Sequence, residues 1–263
     1  AERSAATLSK GSRFQVSKGL LTVLISTAVL FALSAALAPT SVAPGTLSGM
    51  LPFAAILAIV GLGQMLVIQQ AGIDLSVAGA VSLAAVIVTV YPTGDNEKLV
   101  PALLMAFGVS LVVGALNGIL IGFLKLNPII ATLGTNSLLY GLVMAISQGI
   151  PRQTTKRLQS IVTANTLGIP NTVYFALATL LVVIFFLRKT VAGRRFESIG
   201  ASAAVASISG LRVRTHLALA YVWGQLLYTL AGVLIAGVIS SPNGSMGDAY
   251  LLPSVAVVVL GGT

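Results

Sequence analysis

The residues of this chain that could do chemistry begin with a polar run at 64–76, which reads Gln-Met-Leu-Val-Ile-Gln-Gln-Ala-Gly-Ile-Asp-Leu-Ser. Its amides, hydroxyl and single carboxylate, Asp74, can hold a solute by hydrogen bonds, but they lack the partners of acid–base or nucleophilic catalysis. Cysteine is absent, His216 is the one histidine, and the six acidic residues are scattered. No glycine precedes a lysine, so the sequence has no phosphate-binding loop. We therefore predict that the chain is not an enzyme and binds no metal or cofactor of its own.

Two interpretations of the 64–76 run stay open. Gly72 should weaken the helix before it, and Asp74 or Ser76 then stands at the N-cap of the next helix. The run is either a capped turn near the cytoplasmic interface or a broken helix that lines a solute pathway. A carboxylate at membrane depth costs about 2.5–3.5 kcal/mol, so Asp74 should face protein or water. The pathway candidates in this run are Gln64, Gln69, Gln70, Gly72, Asp74 and Ser76.

A second polar cluster follows Asn127. Thr132, Thr135 and Asn136 are spaced i, i+3 and i+4, so they share one face of a helix. Uncharged hydroxyl and amide groups suit a neutral polyol better than an ion, which makes these three residues further pathway candidates. The alternative is hydrogen bonding between neighbouring helices, which is also our interpretation of Asn117.

The composition indicates what must position these groups. Of the 263 residues, 56% are hydrophobic and 8% are charged, and the mean hydropathy is +1.00. A soluble domain carries about 25% charged residues. Because so few charges cannot solvate the surface of a globule, a soluble enzyme, a nucleic-acid-binding protein and a disordered tail are excluded. The net charge of +9 is better explained by membrane topology, since the basic residues are sparse and separated by apolar runs.

The charged residues separate apolar stretches that suit membrane-spanning helices of about 20 residues each. We predict an all-α, polytopic transmembrane helical bundle with a cytoplasmic N-terminal tail, residues 1–18, and a transmembrane domain, residues 19–263. The predicted spans lie near 19–38, 47–69, 75–91, 99–124, 128–148, 171–187 and 215–240, and an eighth apolar run begins near Tyr250.

Lysine and arginine predict the orientation of these spans. Most of the 15 basic residues lie in the N-terminal tail, at Lys125 and in the 188–214 loop, which places those segments in the cytoplasm. The charges of the 149–170 loop, which this orientation puts outside, fit it least well. A signal peptide cleaved near Ala38 is the alternative for the first span. The apolar run exceeds the about 7–15 residues of a signal core, however, and further spans follow it.

Small residues recur every fourth position in the fourth span, at Gly114, Gly118 and Gly122. Such a stripe lets helix backbones approach closely within lipid. We expect these glycines to serve helix packing rather than ligand binding, and Gly232 and Ala236 to do the same in the seventh span.

The 188–214 loop is rich in alanine and serine at its centre and is flanked by arginines. This pattern predicts a short helix without an apolar core of its own. The loop either docks a soluble partner or is a solvated connection whose arginines only set the topology.

Five motifs together resemble the permease subunit of bacterial ribose-type monosaccharide ABC importers, over about residues 50–263. The Gly-Ile-Asp-Leu-Ser motif favours this sugar branch over the branched-chain amino-acid permeases of the same superfamily. The motifs are Gly-Ile-Asp-Leu-Ser at 72–76, Pro-Ile-Ile-Ala-Thr-Leu-Gly-Thr at 128–135, Gly-Arg-Arg-Phe-Glu-Ser-Ile-Gly at 193–200, Ser-Gly-Leu-Arg-Val at 209–213 and Val-Val-Leu-Gly-Gly-Thr at 258–263.

The resemblance implies a multi-pass permease of the bacterial inner membrane that moves a pentose or hexose inward. Two copies, or two related permeases, would form one pathway, and a periplasmic sugar-binding protein would deliver the solute. ATP and Mg²⁺ would be used by a separate cytoplasmic ABC ATPase. The 188–214 loop would dock on the ATPase through a coupling segment. The residues of this segment are Gly193, Arg194, Arg195, Glu197, Gly200, Ser209 and Gly210.

The chain departs from this family in three places. Ser202 and Ala204 replace asparagine and glutamate that members often carry, and Leu251 and Pro253 replace acidic residues near the last span. The family continues past Leu-Gly-Gly-Thr, so we expect the chain to be truncated at its C-terminus. The alternative function is an ion-coupled secondary carrier or channel for a small polar solute, for which Asp74 is the one suitable ionisable group.

Overall fold

A computed structural model describes residues 18–262, and most of them are helical. Residues 1–17 of the predicted tail and Thr263 lie outside the described residues. The helices are α1 (Lys18–Leu37), α2 (Pro44–Ile68), α3 (Val77–Val90), α4 (Leu99–Gly118), α5 (Pro128–Ser147), α6 (Lys156–Thr163), α7 (Asn171–Lys189), α8 (Val191–Ala201), α9 (Ala203–Ile208), α10 (Val213–Ile239) and α11 (Asp248–Gly261). Short 3-10 turns at Pro39–Val42 and Asn96–Lys98 precede α2 and α4, and a π-helical turn, Ile119–Phe123, follows α4.

Every predicted span corresponds to a helix, and the predicted helical membrane bundle is confirmed. Within residues 18–262, five helices are long and apolar enough to cross a membrane: α2, α4 with its flanking turns, α5, α7 and α10. The apolar helices α3 and α11 and the apolar stretch Leu21–Leu37 of α1 are shorter. Within residues 18–262 the β-structure is a hairpin of two-residue strands, β1 (Asn165–Thr166) and β2 (Ile169–Pro170), which pair antiparallel before α7.

Helix α10 lies at the centre of the bundle and packs against α2, α3 and α4. Small residues permit this close packing. A methyl group on Gly114 would lie 2.6 Å from the Cα atom of Val222 in α10, and one on Gly232 would lie 2.4 Å from the carbonyl oxygen of Val81 in α3. Within lipid the hydrophobic effect contributes little to helix association, so the van der Waals contacts between closely packed backbones stabilise the bundle.

The glycine stripe of α4 lies along α10 throughout. A methyl group on Gly118 would lie 2.7 Å from the carbonyl oxygen of Ala218, and one on Gly122 would lie 2.8 Å from that of Arg214. The predicted packing glycines therefore face protein rather than lipid.

Helix α3 is buried on all sides, which explains why its sequence is apolar all round. Its 14 residues span about 21 Å, less than the hydrocarbon core of about 30 Å. A non-helical segment at 69–76 makes up part of the crossing. The helix break comes from Ala71, which has a left-handed φ of +57°, and not from Gly72. Gly72 serves packing instead, because a methyl group there would lie 2.4 Å from the hydroxyl of Tyr221.

The loops gather at two ends of the bundle. At one end, which we call the coupling end, the 69–76 segment, the π-helical turn, α8, α9 and the start of α10 lie together. At the opposite end the amide of Arg157 donates to Asn96 Oδ1 (2.9 Å) and the amide of Thr154 donates to the carbonyl of Ser240 (2.7 Å). The predicted order of spans requires this grouping, because successive connections between spans alternate between the two ends of the bundle.

A second irregular segment, 240–247, turns back from the opposite end into the bundle. It begins at Ser240, whose φ is +67°, and it ends where the amide of Gly247 donates to Ser82 Oγ of α3 (2.9 Å). A methyl group on Gly247 would lie 1.8 Å from the carbonyl oxygen of Ala78. Helix α11 therefore starts beside the N-terminal half of α3 rather than at the opposite end of the bundle.

Candidate functional site

The centre of the 64–76 run is the carboxylate of Asp74, which is completely buried. It accepts hydrogen bonds from the amide of Ser76 (2.9 Å), the hydroxyl of Ser76 (2.5 Å) and Nε2 of Gln225 in α10 (3.2 Å). Among the described residues the one ion pair is Lys98–Asp95, so this carboxylate is held by neutral donors alone. Such donors compensate part of the desolvation cost of a buried acid.

The hydroxyl of Ser76 joins four elements of the bundle. It accepts from Nε2 of Gln225 in α10 (2.7 Å) and from Nδ2 of Asn117 in α4 (3.0 Å). Asn117 in turn accepts a hydrogen bond from Thr135 Oγ1 in α5 (2.6 Å). A single buried network therefore ties the start of α3 to α4, α5 and α10, and we call Asp74, Ser76, Asn117, Thr135 and Gln225 the Asp74 network.

Helix α5 supplies the other caps for the start of α3. The amide of Leu75 donates to Thr132 Oγ1 (3.0 Å), and the amide of Gly79 donates to Asn136 Oδ1 (2.8 Å). The first amides of a helix have no partner within the helix, so these side chains satisfy donors that lipid could not. Asp74 adds the bond to the Ser76 amide described above.

Gln64 holds the backbone of the break from the α2 side. The nitrogen and the oxygen of its buried side-chain amide both have hydrogen-bond partners in one orientation. In this orientation Nε2 donates to Tyr228 Oη (2.8 Å) and to the carbonyl of Asp74 (3.2 Å), and Oε1 accepts from the amide of Asp74 (3.3 Å). Tyr221, also on α10, places a buried hydroxyl without a hydrogen-bond partner beside Gly72.

Gln69 and Gln70 lie against α8 instead of joining this network. Nε2 of Gln70 donates to the carbonyl of Phe196 (2.9 Å). A methyl group on Gly200 would lie 2.4 Å from the carbonyl oxygen of Gln69. Helix α8 of the 188–214 loop therefore touches the backbone just before the helix break at 71–76.

The remaining residues of the predicted coupling segment divide into buried and exposed groups. Gly193 packs under the end of α7, where a methyl group would lie 2.0 Å from the carbonyl oxygen of Phe186. Gly210 has a φ of +77°, which suits glycine, and Ser209 Oγ donates to the carbonyl of Val205 (3.0 Å). Gly193 is buried, and the exposed members of the segment are Arg194, Arg195, Glu197, Gly200, Ser209 and Gly210.

Sequence reasoning missed the apolar tip of this segment. Val205 is 63% exposed and Ile208 is 89% exposed, although both lie in the short helix α9. Beside α9 is an open groove of about 560 Å³ whose lining residues include Lys125, Arg212 and Arg214 but no acidic residue. Exposed apolar side chains beside a groove with basic lining residues suit a protein partner.

The nine residues predicted to line a pathway are thus buried or half-buried inside one subunit, where most of them form hydrogen bonds with neighbouring segments of the same chain. Their role in a solute route stays a prediction. Sequence reasoning also missed Gln225 and Tyr228, whose one signal was their polarity in an otherwise apolar span. Within residues 18–262 no cluster of histidine, aspartate or glutamate side chains could hold a metal ion.

Comparison with known proteins gives consistent results. Residues 46–263 match the family described as the permease component of branched-chain amino acid transport systems. The chain is 32% identical to a probable ABC transporter permease of Sinorhizobium fredii, covering 85% of this chain and 67% of the relative. It is 30% identical to the ribose import permease of Escherichia coli (91% and 76%) and 29% identical to the galactose/methyl galactoside import permease of Salmonella typhimurium (85% and 72%). No solved structure matches the chain.

The family match covers most of the chain, including α2 to α10 and the Asp74 network. Five membrane-capable helices fit a permease. The chain therefore belongs to the family of permease components of branched-chain amino acid transport systems, as a multi-pass protein of the inner membrane.

Proposed function

We propose that this chain is the transmembrane subunit of an ATP-driven ABC importer that moves a monosaccharide of the ribose or hexose type into the cell. The observation that carries the proposal is the similarity to ribose and galactose import permeases over at least 85% of the chain. The residues facing inward at the break are mostly uncharged amides and hydroxyls, which agrees with a neutral solute.

The ATPase subunit docks on α8 and α9, at the coupling end. Exposed Val205 and Ile208 supply the apolar centre of the contact, and the basic groove beside them favours an acidic surface on the partner. ATP and Mg²⁺ bind to that partner. The coupling end is then cytoplasmic, which also places the N-terminus of α1 in the cytoplasm.

Movement of the ATPase reaches the spans through a short chain of contacts. Helix α8 bonds to Gln70 and packs against the carbonyl of Gln69, and both precede the break that the Asp74 network holds. A shift of α8 therefore displaces the end of α2 relative to the start of α3. Two packed arrangements of this segment would give the inward-open and outward-open states.

The solute route lies between two permease subunits, either two copies or two related chains. One exposed face of α5 favours this arrangement, because four small residues lie on it among the large apolar Ile130 and Met144. Gly134 and Gly141 have no atom within 4 Å of the position of an added methyl group, so this face leaves open space. The binding protein delivers sugar at the opposite end, near α6 and the hairpin. The exposed small residues are Gly134, Ser137, Gly141 and Ala145.

Uptake into vesicles tests the proposal. The full-length chain is reconstituted with its ATPase and binding protein, and uptake of labelled ribose, galactose and leucine is measured with and without ATP. We expect ATP-dependent uptake of one sugar and none of leucine. An ionophore that removes ion gradients should leave this uptake unchanged. Sugar uptake without ATP that the ionophore abolishes would instead identify an ion-coupled carrier, and uptake of leucine alone would refute the choice of substrate.

A further inference from the structure

Asp248 is an exposed carboxylate at the first position of α11, and it lies well below the end of the bundle. It accepts a hydrogen bond from the hydroxyl of Tyr140 in α5. The preceding residue, Gly247, is pressed against α3 near Ala78 and Ser82. The 240–247 segment thus brings the start of α11, and with it the exposed Asp248, alongside the N-terminal half of α3.

The depth of this pair follows from helix geometry. At a rise of 1.5 Å per residue, Tyr140 lies about 10 Å below Ser147 at the end of α5 and about 18 Å above Pro128 at its start. Ser82 lies about 12 Å below Val90, the last residue of α3. Both estimates place Asp248 inside a hydrocarbon core of about 30 Å.

An exposed carboxylate at this depth cannot face lipid without a large penalty, so it must face water or a second protein chain. Its surroundings favour water. On the same side of α5, Ser137 and Gly141 are exposed, and nothing lies within 4 Å of a methyl group placed on Gly141. Asp248 therefore lies, through its contact with Tyr140, beside the face of α5 that we assign to the solute route.

We propose that Asp248 and Tyr140 form a binding site for the hydroxyl groups of the sugar on its way through the membrane. The proposal rests on the function proposed above. A carboxylate can accept hydrogen bonds from two neighbouring hydroxyls of one ring, and such charge-assisted bonds are strong. The phenol, whose donor is engaged by Asp248, offers its oxygen as an acceptor, and its ring can cover the apolar C–H face of a pyranose or furanose.

The same pair would select against the other solutes of this family. The carboxylate of an amino acid would meet Asp248 with like charge, whereas a neutral polyol would not. The site therefore predicts a solute with neighbouring hydroxyl groups and without a negative charge.

Kinetics of uptake test this site. With the reconstituted complex, Asp248→Asn and Tyr140→Phe should each raise the KM for the transported sugar, Asp248→Asn by about 10-fold or more. Asp95→Asn removes an exposed acid of a surface loop and should leave the KM unchanged. If wild-type protein carries no sugar, the proposed function fails. If it carries sugar and Asp248→Asn changes only the amount of folded protein and not the KM, the site fails while the function stands.

Labelling supplies a readout that does not depend on transport. Because the chain contains no cysteine, a Ser137→Cys variant carries a single thiol beside the pair. We expect a water-soluble thiol reagent to modify it in proteoliposomes and the sugar to slow the reaction. Leu181→Cys on α7, where the leucine is 65% exposed, should resist the reagent because it faces lipid. Equal labelling of both positions, or a rate at Ser137→Cys that sugar does not alter, would overturn the proposal.

Discussion

Exchanging the two partners Asp74 and Gln225 tests the Asp74 network. In the Asp74→Asn variant the remaining side-chain oxygen can still accept the hydrogen bond from the amide of Ser76. The oxygen that accepts from Nε2 of Gln225 at 3.2 Å becomes an amide nitrogen, so two donors face each other. The Gln225→Glu change alone sets two buried carboxylates against each other. Together the two changes restore a donor facing an acceptor, and the Ser76 hydroxyl can turn toward the new carboxylate.

The expected magnitudes follow from these contacts. Asp74→Asn leaves buried donors unpaired and should lower the free energy of unfolding by about 1–3 kcal/mol. Gln225→Glu should cost about 3–5 kcal/mol, the penalty for an uncompensated buried charge. The double variant should lie within about 2 kcal/mol of wild type, so the coupling free energy reaches about 2–3 kcal/mol or more.

Unfolding in mixed micelles with increasing sodium dodecyl sulfate, followed by circular dichroism, measures these free energies. Asp95→Asn, at an exposed loop, is the control and should change stability by no more than about 0.5 kcal/mol. Additive effects of the two single changes would refute the reasoning. So would an Asp74→Asn variant as stable as the wild type.

Two glycine substitutions test the packing and the coupling contact. Gly118→Ala puts a methyl group 2.7 Å from the carbonyl oxygen of Ala218 and should lower the free energy of unfolding by about 1–3 kcal/mol, whereas Gly108→Ala on the same helix meets nothing within 4 Å and should be neutral or stabilising by up to about 1 kcal/mol. Equal stability of the two variants in the same micelle titration would contradict the packing of α4 on α10. Gly200→Ala should push α8 away from the carbonyl of Gln69 and reduce ATP-driven uptake several-fold while membrane insertion stays normal. Wild-type uptake by this variant would show that the contact does not carry the motion.

Much of the fold was predictable because span formation depends on local hydrophobicity. The spans, the packing side of the α4 glycines and the presence of short helical structure in the 188–214 loop follow from composition and spacing, although one short helix was predicted there and the structure has two, α8 and α9. The cause of the helix break was less accessible. Gly72 was the natural choice for it, yet Ala71 adopts the left-handed conformation and Gly72 packs against the hydroxyl of Tyr221.

The candidate site was predictable in its residue types but not in its assembly. Asp74 and Asn136 were identified from polarity alone, but their partners were not. Asp248 was overlooked because an acidic residue next to a loop is ordinary in sequence. It gains meaning only when the 240–247 segment is found to turn into the bundle.

The sequence by itself determined that this is a membrane protein, how many apolar segments it has and which motifs relate it to permeases. These properties depend only on the order of residues along short stretches. Only the tertiary structure decided that Asp74 pairs with Gln225 across 151 positions, that α8 touches the break, and that Asp248 bonds to Tyr140 of α5. Contacts between distant segments depend on how whole helices pack, and many packings are compatible with the same apolar pattern.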